Sequence, residues 1–161
     1  MTINVGDKLP EVTFMHLTKD GPAVVAGSEV FAGKKVVLFA VPGAFTPTCH
    51  HKHLPGFINN AQELKAKGID TIACVSVNDP FVMQAWATAT DAGDDVQFLA
   101  DPDAAFAVAI GMDVDLSAAG LGTRSKRYAM LVDDGEVKIL NIEPAPGQAE
   151  ESSAEEMLKA L

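Results

Sequence analysis

The order of elements in this chain predicts an α/β fold in which a mixed central β-sheet is flanked by helices on both faces. Apolar runs bounded by turn residues, such as Val36-Val37-Leu38-Phe39-Ala40-Val41 before Pro42-Gly43, have the length and composition of strands buried on both faces. Segments with helix-start signals alternate with those runs. The chain has 161 residues, a size that suits one domain, 1–161, with about two thirds of the unfolded surface removed from water.

Each element follows from local chemistry. Val12 to Leu17, turning at Lys19-Asp20-Gly21, predicts an N-terminal β-hairpin added to one edge of the sheet. After the strand Val36–Val41 a loop leads to Thr46-Pro47. Threonine is a good N-cap and proline suits the first helical position, so a helix is predicted from Pro47 with Cys49 in its first turn. Pro55-Gly56 should kink or interrupt it before it resumes and ends near Lys67-Gly68. Ile69 to Val77 predicts a buried strand, Asn78-Asp79-Pro80 a helix start, and Val96 to Ala100 a third strand. Asp101-Pro102-Asp103 opens a short helix that Gly111 closes. Arg127 to Val132 and Glu136 to Ile142 form a hairpin around Asp133-Asp134-Gly135, and Glu155 to Leu161 a last amphipathic helix. Phe81, Met83 and Trp86 share helical spacing and read as core or interface, while Glu150, Glu151, Glu155 and Glu156 read as a solvated face.

Composition narrows the function classes. The hydrophobic fraction of 48% and charged fraction of 21% are those of a globular protein, and no apolar run is long enough for a membrane span, so no membrane partner is expected. A net charge of -10 with twelve Lys and Arg argues against nucleic acid, which needs a clustered basic face. Met1 to Asp7 lacks the basic start and apolar stretch of a signal peptide, which makes a cytoplasmic location the default expectation. Two cysteines, Cys49 and Cys74, without a C-x-x-C pair, fit a reducing compartment rather than a disulfide scaffold.

Cys49 is placed for nucleophilic chemistry. Helix N-terminal N–H groups and a nearby cation stabilise a thiolate, and for a cysteine moved from ~8.5 to about 6 the thiolate fraction at pH 7 rises about thirtyfold, worth ~2 kcal/mol. Faster chemistry requires donors fixed around the charge that grows on a leaving oxygen. Candidates are the Thr46 hydroxyl, the backbone N–H groups of Thr48 and Cys49, and a guanidinium from a distant segment, with Pro42 shielding the thiolate. Cys74, inside an apolar strand, reads as packing.

Pro42-Gly43-Ala44-Phe45-Thr46-Pro47-Thr48-Cys49 resembles the P-x-x-x-T-x-x-C signature of peroxiredoxins. His53-Leu54-Pro55-Gly56-Phe57, Asn78 to Met83, Gly122 to Tyr128 and Asn141 to Pro144 resemble the type II, or atypical, subfamily, so the likeness spans nearly the whole chain. It implies a thioredoxin-like fold and a thiol peroxidase without metal or organic cofactor. Cys49 would be the peroxidatic cysteine, oxidised to sulfenic acid by hydrogen peroxide or an organic hydroperoxide. Thr46 would hold the peroxide, Arg124 would match the family's active-site arginine, and Pro42 would close the pocket. The likeness also implies a homodimer packed near the active-site loops. Glu143 to Ser153 lacks the resolving cysteine of animal-type members, so an external thiol is expected to resolve the sulfenic acid, glutathione with glutaredoxin ahead of thioredoxin. His50 stands where many relatives carry a small residue.

Two rival readings use the same residues. Cys49-His50-His51-Lys52-His53 could bind zinc or copper, with Cys49 and His53 spaced i, i+4 on one helical face, although only His16 stands outside the cluster and no further ligand pair completes it. A cysteine hydrolase would need one of these histidines as base and a group to orient it.

Overall fold

The computed structural model describes residues 2–161. Its main sheet has seven strands in the order β2-β1-β5-β4-β3-β8-β9, with β1 Thr13–Thr18, β2 Gly21–Ala26, β3 Lys35–Val41, β4 Thr71–Ser76, β5 Gln97–Ala100, β8 Tyr128–Asp133 and β9 Glu136–Ile142. Strands β3, β4 and β5 run parallel, and β8 lies antiparallel to β3 with Ala40 opposite Tyr128. The expected N-terminal hairpin joins the β5 edge, where Met15 pairs with Ala100. This is the mixed sheet and thioredoxin-like architecture that the sequence predicts.

Because β3 is buried along both faces, its residues feed two apolar layers. Val36, Leu38 and Ala40 pack with Phe14, Phe106 and Met130 on one side. Val37, Phe39 and Val41 pack with Cys49, Phe57, Cys74, Trp86 and Met157 on the other. Phe39 and Phe57 stack with centroids 4.1 Å apart, and the second layer also carries the helices α2 Leu54–Asn59 and α3 Ala61–Ala66. The two cysteines therefore share one face of the sheet.

Most helix signals hold, with local differences. Pro55-Gly56 does not break the helix at its own position, although Pro55, near the start of α2, follows a helical turn whose carbonyls it cannot serve with an N–H. The adjustment falls just before it. Cys49–His53 form a π-helical turn, closed by the Leu54 N–H on the Cys49 carbonyl, and the break comes instead at Asn60 (φ -102°, ψ 8°). Helix α4, Pro80–Ala89, starts as expected, with the Asp79 carboxylate accepting from the Val82 N–H. Helix α5 is shorter than expected, Ala105–Ala109, since Ala104 takes a left-handed conformation at φ 57°; the Asp101 carboxylate still caps it through the Phe106 and Ala107 amides at 3.0 Å each. Helix α6 is Ala154–Ala160, capped by Ser153. Three features have no counterpart in the sequence reading: α1 Gly27–Phe31, a single 3-10 turn Ser117–Ala119, and the small antiparallel pair β6 Asp113–Asp115 and β7 Thr123–Ser125.

Candidate active site

Strands β3 and β8 are neighbours, so the chain leaving β3 at Val41 and the chain entering β8 at Tyr128 meet at one end of the sheet. The first contributes Pro42 to Cys49, the second Arg127. Cys49 is fully buried and Arg127 is 2% exposed. Arg127 donates through Nη2 to Cys49 Sγ at 3.0 Å, through Nη1 to His53 Nδ1 at 3.0 Å and through Nε to the Pro146 carbonyl at 3.1 Å. Among the described residues no carboxylate forms an ion pair with Arg127. A buried cation without a carboxylate costs several kcal/mol unless another anion faces it, and the sulfur it touches is the group that becomes one when deprotonated.

Thr46 opens the helical turn that holds the thiol, its carbonyl accepting from the His50 N–H at 2.9 Å. Its side chain does not cap. Instead Thr46 Oγ1 donates to the Gly43 carbonyl at 2.6 Å, which leaves the hydroxyl oxygen to accept. The Thr48 hydroxyl turns away and donates to the Gly147 carbonyl at 3.2 Å, so what Thr48 offers the site is its first-turn backbone N–H, which like that of Cys49 has no acceptor within the helix. Pro42 is buried and its carbonyl accepts from Arg124 Nη1 at 3.3 Å.

The arginine that meets the thiol is thus Arg127 rather than Arg124. Arg124 is half-buried, and its Nε donates to the Leu121 carbonyl at 2.8 Å while its Nη1 reaches Pro42. It braces the loop from outside. The reason is position on the sheet: Arg127 directly precedes β8, which pairs with β3, whereas Arg124 belongs to β7 in the separate small pair. Position next to an apolar strand does not by itself mark Arg127, since Lys35 adjoins the buried run Val36–Val41 and stays exposed; the selection is made by the pairing of β8 with β3.

The Redoxin family model matches residues 4–158. Peroxiredoxin-2E-2, chloroplastic, of Oryza sativa subsp. japonica is 58% identical, over 99% of this chain and 73% of its own. The crystal structure of reduced Prx3 from Vibrio vulnificus in complex with H2O2 superposes with a TM-score of 0.93 at 53% identity, covering 99% of each chain. The chain belongs to the Redoxin family and is a peroxiredoxin. It is therefore a thiol peroxidase of the type II group that its motifs resemble. The expected cytoplasmic location is overturned: the relative from rice and a second from Arabidopsis thaliana, 53% identical over 99% of this chain and 70% of its own, are both chloroplastic proteins. Compartment is carried by address signals rather than by a folded domain, so a default drawn from domain residues had no physical hold on it.

The histidine cluster disperses in this peroxiredoxin. His50 Nδ1 accepts from the Trp86 indole at 2.9 Å and its ring lies 5.8 Å from Phe45. His51 is exposed, and His53 is buried against Arg127. Among the described residues no three potential ligands converge, which leaves the zinc or copper reading without a ligand set. His53 is no general base for a hydrolase either, because the nitrogen it turns toward the site already accepts from a guanidinium. Burial, and then the Arg127 charge, hold its pKa down at about 3.

Sequence reasoning also missed the anchor behind His53. Its Nε2 meets the Ser152 carbonyl at 2.9 Å. The Glu143 carboxylate in turn accepts from the Ser152 N–H at 2.6 Å, from the Ser152 hydroxyl and from the Glu151 N–H at 3.2 Å. Glu143 and Ser152 are both buried.

Gly43 is small for a reason. A Cβ there would lie 2.8 Å from Arg124 Nη1 and 3.1 Å from Thr46 Cγ2. Gly43→Ala is expected to cost under about 2 kcal/mol, because the arginine tip can move, yet to slow peroxide reduction about threefold to tenfold by shifting Thr46. Thermal unfolding and stopped-flow rates check both; an unchanged rate would mean that Thr46 tolerates the displacement.

Proposed function

We propose that this peroxiredoxin reduces hydrogen peroxide and organic hydroperoxides by a one-cysteine cycle resolved by an external thiol, glutathione with glutaredoxin ahead of thioredoxin, and that it needs no metal or organic cofactor. The observation that carries the catalytic half is the buried Arg127 guanidinium 3.0 Å from Cys49 Sγ. The thiolate attacks one peroxide oxygen, the O–O bond breaks, and its electron pair leaves on the other oxygen, which takes a proton and departs as water or alcohol. Cys49 becomes a sulfenic acid. Thr46, whose hydroxyl proton is committed to Gly43, offers its oxygen as acceptor to the incoming peroxide O–H. Arg127 and the Thr48 and Cys49 amides stabilise the departing oxygen. A first thiol then displaces water to form a mixed disulfide, and a second releases Cys49 with formation of the oxidised thiol pair.

Support for an external thiol comes from Cys74. It is fully buried, faces Phe39 on β3 and Phe98 on β5, and burial followed by the charge of Cys49 pushes its thiol well up, which makes it a poor nucleophile. One observation favours a second reading, the presence of both thiols in one apolar layer: if that layer opens, Cys74 could resolve the sulfenic acid itself. A homodimer through the face carrying Phe45 and Phe81, 50% and 59% exposed, belongs to the same proposal, with sedimentation as its check.

Intact mass after one equivalent of hydrogen peroxide, with and without glutathione, separates these cycles. A gain of one oxygen that glutathione converts to a mixed disulfide, absent in Cys49→Ser, is the expected result. Loss of two hydrogens, abolished in Cys74→Ala, would replace it with the intramolecular cycle. No prompt change at Cys49 would defeat both.

A further inference from the structure

The relay behind the cysteine contains one group whose protonation is dictated from both ends. A guanidinium only donates, so His53 Nδ1 must accept from Arg127 Nη1. A carbonyl only accepts, so His53 Nε2 must carry the proton donated to Ser152. The ring is 1% exposed and packs at centroid distances of 5.2 Å from Phe39 and 5.6 Å from Phe57, which holds its plane, while the two hydrogen bonds fix which nitrogen faces Arg127.

We propose that His53 is a positioning residue for peroxide reduction: its unprotonated Nδ1 holds Arg127 so that Nη2 faces Cys49 Sγ, and its Nε2–H ties that arrangement to the C-terminal segment at Ser152. The proposal deepens the peroxidase reading and rests on it. Arg127 has three anchors, Cys49, His53 and Pro146, and only the His53 contact constrains the same terminal fork that meets the sulfur. Without it an Nη1 donor is left unmet, and the planar guanidinium can tilt about its Cδ–Nε bond, with only the Nε bond to Pro146 left to orient it apart from the sulfur itself. Ser152 is itself fixed by the buried Glu143 carboxylate. The acceptor at Nδ1 is therefore set by a hydrogen-bonded chain from His53 through Ser152 to Glu143.

The two bonds can be removed separately. Asparagine places its oxygen near the position of Nδ1 and lacks reach to Ser152, whereas glutamine reaches Ser152 with its amide and leaves Nδ1 unreplaced. In His53→Asn the second-order rate with hydrogen peroxide is expected to stay within about threefold of the parent. In His53→Gln and His53→Leu it is expected to fall tenfold or more, whichever of the variants melts at the lowest temperature. If instead the rate follows melting temperature across the three, or His53→Gln keeps the parent rate, His53 serves packing alone and the proposal fails. A parent protein that itself forms no sulfenic acid would defeat the peroxidase reading first, so the two failures are distinct.

Discussion

Replacing Arg127 with glutamine is expected to slow the reaction of Cys49 with hydrogen peroxide by about a hundredfold to a thousandfold, the range for losing one fixed donor to a developing oxyanion. Arg124→Gln is expected to cost less than tenfold, because its guanidinium serves the Leu121 and Pro42 carbonyls rather than the sulfur. Stopped-flow kinetics on both variants test the assignment, and a larger loss at Arg124 would reverse it. Arg127→Gln also strips donors from His53 Nδ1 and the Pro146 carbonyl. Each buried group left unpaired costs about 1–3 kcal/mol, so Arg127→Lys is the companion that restores charge without the fork. It should regain stability but little rate, since a point charge cannot serve sulfur, imidazole and carbonyl together.

The second large effect is an acid-side loss of stability. His53 binds its proton only near pH 3 in the folded chain, against about 6.5 when unfolded. Between those values the unfolded chain takes up a proton that the native state refuses, so stability is complete above about pH 6.5 and falls by about 1.4 kcal/mol per unit below it. Carried toward pH 3 this approaches 5 kcal/mol, comparable with the whole stability of many domains. Glu143 acts in the same direction. Burial alone would raise its pKa, but hydrogen bonds from Ser152 and from the Glu150 and Glu151 amides lower it, and that contribution is lost as pH falls through its folded value. Urea unfolding at pH 7, 5.5 and 4.5 should show the slope, and His53→Asn should flatten it. Equal slopes in the two proteins would remove His53 as the cause.

What was legible in the sequence divides along a physical line. Strands buried on both faces announce themselves as apolar runs, and proline or aspartate at helix starts acts through neighbours in the chain; hence the sheet, the hairpins and α4 were readable. Cys49 and Thr46 were readable because their motif is contiguous. Arg127, His53, Ser152 and Glu143 form their bonds across separations of 74 to 99 residues along the chain or, for Glu143 and Ser152, across a loop, and no local rule selects Arg127 over Arg124 until β8 is laid beside β3. The π-helical turn was unreadable for a related reason. Pro55 signals that something near it must give, but not that the chain gives by a wider turn over Cys49–His53.

Complete burial of Cys49 sets the tempo of the proposed cycle. A hydroperoxide presents two oxygens and asks for little room at the Pro42–Thr46 loop. A tripeptide thiol or a protein reductant is far larger and must reach a sulfur that is fully buried. Oxidation and reduction therefore ask for motions of different amplitude around the same buried sulfur. The reduced enzyme is shut to stray disulfides and electrophiles of any bulk, and its resting selectivity is one of size before it is one of chemistry.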